Sequence, residues 1–241
     1  MDAPAGRSSV DLYWLPLGAG GRVVRWNGRA YEALAARLSH RVAADLYHSA
    51  LSVTHRGNMH TIEMGPVWNI KAPLRGVVAV GPVGARWLGR FRLFRYEIRC
   101  WRDGRIPDIT EAVDSPQRLS DDDARAARML DLVSTAPLLT WGRDEMRTGD
   151  MWNSNSLVSW LLARTGHDTS VLAPPGHGRA PGWDAGLAIA RDAGAATSPG
   201  AAPRPPRPGP RAPEVLPNAP PRGRNRVQNR TNPGRRQPAS P

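Results

Sequence analysis

Residues 150–166, D-M-W-N-S-N-S-L-V-S-W-L-L-A-R-T-G, place a polar knot directly in front of an apolar run. Leu157, Trp160, Leu161 and Arg164 recur at the i, i+3, i+4, i+7 spacing of a core-facing helix, with Val158 beside the stripe. Asn153, Ser154, Asn155 and Ser156 all carry side chains that accept from the first orphan amides of a helix. Gly166 is of the type that closes helices in the left-handed conformation. The stretch therefore predicts a capped, buried helix late in the chain.

The residues before it predict mostly strands. Residues 10–17 and 23–26 are β-rich and are separated by glycines. Residues 30–40 have helical spacing, with Tyr31, Leu34, Ala35 and Leu38 on one face. Residues 45–54 and 59–64 alternate as strands about H-R-G-N, a hairpin signal. Residues 75–80 are β-rich, and 81–89 read as a Gly/Pro-punctuated connection. In 93–101, Phe94, Tyr96, Ile98 and Cys100 point one way. A second helix is expected over 120–134, with Ser120 as N-cap and acids at Asp121 to Asp123 in its first turn. Residues 137–150 read as loop, and a short helix is expected at 183–191. The fold class is α+β: a central antiparallel sheet with helices packed against it.

Composition separates the two ends of the chain. The whole sequence has 241 residues and a formal charge of +12. Residues 194–241 hold nine arginines and one glutamate, so most of that charge is theirs. Their Pro/Arg/Ala/Gly composition cannot bury enough apolar surface to offset chain entropy. The expected organisation is a flexible N-terminus over 1–9, one domain over 10–193, and a disordered basic tail over 194–241. The tail's candidate partners are an anionic surface or an SH3-like domain, the latter from P-R-P-P-R-P-G-P. Cys100 is the single cysteine, so no internal disulfide forms, and its apolar face suits a buried side chain better than a nucleophile. No apolar run approaches the ~20 residues of a membrane span, and the first residues lack the apolar core of a secretory signal. A cytoplasmic protein is expected. Zinc-type Cys/His spacing, dinucleotide fingerprints and a P-loop are absent from the sequence, so no cofactor or metal is expected.

Serine needs a base to act as a nucleophile. Ser154 stands at the positive end of the late helix, where Asn153, Asn155 and Ser156 would flank an oxyanion site. His48 lies in mid-strand and is the candidate base. If Arg56-Gly57 is a two-residue loop, Glu63 falls diagonal to His48 on the same face and is the candidate orienting group. A loop one residue longer or shorter turns Glu63 away and brings His60 to that face. Helix capping explains the first set of residues equally well, and an exposed strand carboxylate explains Glu63.

The order L-Y-H-S-A-L (residues 46–51), hairpin, further sheet, then N-S-N-S-L-V-S-W-L-L-A-R-T-G resembles the circularly permuted papain-like superfamily, which includes the lecithin:retinol-acyltransferase-like proteins. The resemblance covers roughly residues 45–166. It implies a permuted papain-like fold, with His48 as the family's histidine and Asn153, Asn155 and Ser156 as residues flanking its nucleophile. Ser154 stands where that family has cysteine. Residues 10–192 also resemble an uncharacterised family of actinobacterial proteins. Two functions are implied: a serine-dependent hydrolase or acyltransferase acting on an amide or ester, or an inactive module binding a small molecule or peptide at the same place; apart from the resemblance, an adaptor acting through the basic Pro-rich tail is a third.

Overall fold

The computed structural model describes residues 6–17, 44–67, 76–106 and 108–197. The strand expected at 23–26, the helix at 30–40 and most of the basic tail lie outside them.

Six strands of the described residues form one antiparallel sheet: β1 (Ser9–Pro16), β2 (Tyr47–His55), β3 (Asn58–Pro66), β4 (Val77–Pro82), β5 (Arg95–Arg102) and β6 (Val113–Ser120). Their order is β4-β5-β3-β2-β1-β6, and every pairing is antiparallel. Among the described residues, three helices, α1 (Asp123–Leu132), α2 (Ser154–Arg164) and α3 (Trp183–Thr197), complete an α+β fold. Among the described residues, no helix is long and apolar enough to cross a membrane.

Strand alternation divides the sheet into two faces. Val10, Leu12 and Trp14 of β1, Leu51 and Val53 of β2, Ile62 and Met64 of β3, and Tyr96 and Ile98 of β5 point into the main core with α1 and α2. Leu15 and Ala50 point the other way and pack against Ile106 in a smaller cluster. The hairpin pairs His55 with Asn58 and Leu51 with Ile62, so the two-residue loop reading holds. Arg56 and Gly57 both have positive φ, the conformation that matches the twist of the flanking strands.

Helix α2 is buried on all sides from Ser154 to Leu162, between the sheet and α3. Its stripe was expected on one face only; α3 covers the other. The covering is close. A Cβ on Gly186 would collide with Ser156 O and Ser159 Oγ. Gly186→Ala should force the two helices apart at a cost of about 1–3 kcal/mol. Urea denaturation with an unchanged m-value would check it.

Two boundaries differ from the sequence reading. Helix α1 is capped by Asp122, whose carboxylate accepts from Arg125 N at 2.7 Å, because Ser120 belongs to β6. Helix α3 continues to Thr197, past the domain edge expected at 193.

Candidate functional site

The start of α2 is tied to β2 and to residues 181–182 by side chains that were expected to serve chemistry. Asn153 is the N-cap. Its Oδ1 accepts from Asn155 N at 2.9 Å and Ser156 N at 3.3 Å. Ser156 Oγ accepts from Asn153 N at 3.0 Å, completing a capping box. The same hydroxyl donates to Gly182 O at 2.7 Å, with Met151 O 3.0 Å away. Asn155 reaches the sheet: its amide donates to Tyr47 O at 3.0 Å and Pro181 O at 2.9 Å, while its Oδ1 accepts from Ser49 Oγ at 2.9 Å. The amide of Asn153 donates to Pro181 O as well, at 2.8 Å.

These bonds correct the oxyanion expectation. The backbone N–H groups of Asn155 and Ser156 are already paired with the cap, so they are not open to a developing negative charge. Asn153, Asn155 and Ser156 are structural here.

Ser154 is the first residue of α2 and is almost buried. It lines a cavity of about 190 Å³ together with Leu17, Leu46, Tyr47, His48, Trp141, Met151, Asn153, Asn155 and Pro181. Ser154 and His48 thus border one cavity. They are not hydrogen-bonded. Ser49, whose hydroxyl meets Asn155, points toward α2, so alternation directs the neighbouring imidazole of His48 to the opposite face. On that side His48 is paired in register with Leu15 and feels the charge of Asp108. Burial lowers its pKa to about 4, against the opposing pull of Asp108, so the ring is neutral at physiological pH.

Glu63 shares the outer face with His48, as the register implied, but it does not orient the imidazole. Arg99, its register partner on β5, donates to Glu63 Oε1 from Nη1 at 2.8 Å. The same guanidinium donates to Glu97 Oε2 from Nε at 3.0 Å. Burial raises the pKa of Glu63, with Arg99 opposing it. His60 lies across from Val53, on the core side. The three members of the expected triad are therefore not wired together: Ser154 is at the helix start, His48 is turned to the other face, and Glu63 is held by Arg99.

The cavity walls that sequence reasoning missed are Trp141, Met151 and Pro181. All three sit in irregular segments, where no periodicity marks a facing direction. Cys100 is partly buried, and burial pushes its thiol up to about 11, in keeping with a packing role. No group of His, Cys, Asp and Glu among the described residues could hold a metal ion. Compared with protein-family models, with curated proteins and with solved structures, the chain has no match.

Proposed function

We propose that the chain is a non-catalytic binding module on a permuted papain-like scaffold. Its cleft at the start of α2 takes one uncharged, mostly apolar group. The observation that carries this reading is the hydrogen bonding of Asn153, Asn155 and Ser156, whose backbone N–H groups are taken up by the cap and whose side chains fasten the helix start. The lining supports the ligand class: Leu17, Leu46, Trp141, Met151 and Pro181 are apolar, and no acidic, lysine or arginine side chain is among the described lining residues. About 190 Å³ lies below the ~300 Å³ at which pockets for whole drug-sized ligands begin. It suits a single side chain of a peptide or the end of a larger molecule. The scaffold assignment rests on the chain order and on the meeting of the α2 start with the histidine strand through Asn155.

A second reading, a serine hydrolase or acyltransferase, is favoured by one fact: Ser154 and His48 border the same cavity. A serine-directed fluorophosphonate probe on wild type and Ser154→Ala decides between them. The binding module predicts equal background labelling of both. Labelling of wild type that disappears in Ser154→Ala would establish the enzyme instead. On the binding side, saturation-transfer NMR with small aromatic and aliphatic amides should find weak binders, and Ser154→Val should abolish their signals by narrowing the cavity.

A further inference from the structure

Away from the cleft, the connection from β4 to β5 carries an unusual surface. Residues 86–95 read R-W-L-G-R-F-R-L-F-R. Two short 3-10 turns, Arg86–Arg90 and Arg92–Phe94, shape the segment, and neither contains a buried residue. Leu93 is 72 % exposed, Trp87 62 %, Phe91 47 % and Phe94 37 %. Large apolar side chains clustered this way on a surface mark a docking site. The cations between them are uncompensated in part. Arg86 is paired with Glu145 at 2.7 Å, but among the described residues Arg90 and Arg92 have no acidic partner. The guanidinium of Arg90 lies over the rings of Trp87 and Phe91, 5.2 and 4.7 Å from their centroids. Arg95 braces the segment by donating to Gly89 O and Arg90 O.

We propose that residues 86–94 are a docking surface for an anionic lipid bilayer. Trp, Phe and Leu side chains enter the boundary between headgroups and acyl chains, and Arg90 and Arg92 meet the lipid phosphates. Interleaved arginine and apolar side chains satisfy both layers of that boundary at once. A nucleic acid fits less well. Base stacking needs open ring faces, and Arg90 lies over two of the rings. Leu93, the most exposed of these side chains, has nothing to offer a phosphate or a base edge.

The segment also has a defined place. The pairs Pro16↔Tyr47, Pro66↔Tyr96 and Pro82↔Arg95 lie at one end of the sheet, and the segment leaves β4 and enters β5 there. The cleft lined by Leu17, Leu46 and Tyr47 is at that same end. Trp141 joins the two, since its carbonyl accepts from Gly84 N at 3.0 Å and its side chain is in the cleft wall. The membrane proposal does not depend on what the cleft binds.

The test is co-sedimentation of the full chain with vesicles of phosphatidylcholine alone and of phosphatidylcholine mixed with phosphatidylglycerol, at low and high salt. The wild type should bind the anionic vesicles and keep a measurable fraction bound at high salt. Trp87→Ser/Leu93→Ser should lower partitioning about tenfold or more, since the apolar insertion is lost. Arg90→Gln/Arg92→Gln should lower it by roughly fivefold per arginine at low salt. Both variants alter exposed side chains, so unchanged circular dichroism and melting temperature would show that each is folded. Three results would overturn the proposal. One is vesicle binding untouched by Trp87→Ser/Leu93→Ser and lost in high salt, which points to the basic tail. Another is absence of vesicle binding together with DNA binding weakened by Arg90→Gln/Arg92→Gln. The last is self-association that Leu93→Ser abolishes while vesicles are ignored.

Discussion

Arg99→Met is expected to cost about 3–5 kcal/mol of folding stability at neutral pH. Arg99 stands on the outer face of β5 between Glu97 on its own strand and Glu63 on β3, and all three side chains are about a tenth exposed or less. The arginine neutralises one of two buried carboxylates and donates to both, and its second terminal nitrogen reaches Pro66 O at 3.4 Å. Methionine fills similar space but removes the guanidinium that Glu63 and Glu97 share. Losing one partner of a buried ion cluster costs far more than the cluster contributes net.

The pH dependence identifies the cause. Glu63 already has a raised pKa, because burial outweighs the help of Arg99. A carboxyl raised in the fold contributes stability below its unfolded pKa and loses it as pH rises through the folded value. Without Arg99 that value rises further. The deficit of Arg99→Met should therefore be largest at neutral pH and smaller at acidic pH, where Glu63 takes up a proton. Urea denaturation at both pH values measures this. Adding Glu63→Gln and Glu97→Gln to Arg99→Met should recover most of the loss at neutral pH. A deficit that is equal at both pH values and unrelieved by the glutamines would mean that packing, not charge, is what Arg99 supplies.

The position of Glu63 shows where sequence reading succeeds and stops. Its face was legible, because positive φ at Arg56 and Gly57 fixes a two-residue loop and parity follows. Its partner was not, because β5 pairs with β3 across a connection that sequence periodicity does not describe. Strand β6 went unread for a different reason. V-D-S-P-Q-R-L-S contains Pro116 and little apolar material. It lies at a sheet edge, where proline is tolerated and one side of the strand faces solvent. The α2 start was legible as a cap somewhere in Asn153 to Ser156, of which Asn153 is the one used, and so was the closing Gly166, whose φ is +76°. The sequence could not say that the same polar knot also fastens the helix to Tyr47 and Pro181, since those contacts join residues far apart in the chain.

That fastening supplies the second large effect. Asn155→Asp, nearly isosteric, should cost about 3–5 kcal/mol at neutral pH. The orientation of the Asn155 amide follows from its partners: Tyr47 O and Pro181 O can only accept, so the nitrogen must face them, and the oxygen takes the Ser49 hydroxyl. Aspartate keeps the bond from Ser49 and turns an oxygen toward two carbonyl oxygens. At a site that is 2 % exposed, no water offsets the repulsion. The only repair is to protonate the new carboxyl, which then donates to one carbonyl. Its pKa must rise in the fold, so the variant should regain stability as the pH is lowered. Asn155→Ala, which leaves Tyr47 O unpaired but adds no charge, should show a smaller loss that does not change with pH. If Asn155→Asp were as stable as wild type at neutral pH, Asn155 could not be the buried tie between α2 and β2. The polar knot at residues 153–156 would then be free to serve a ligand or a reacting carbonyl.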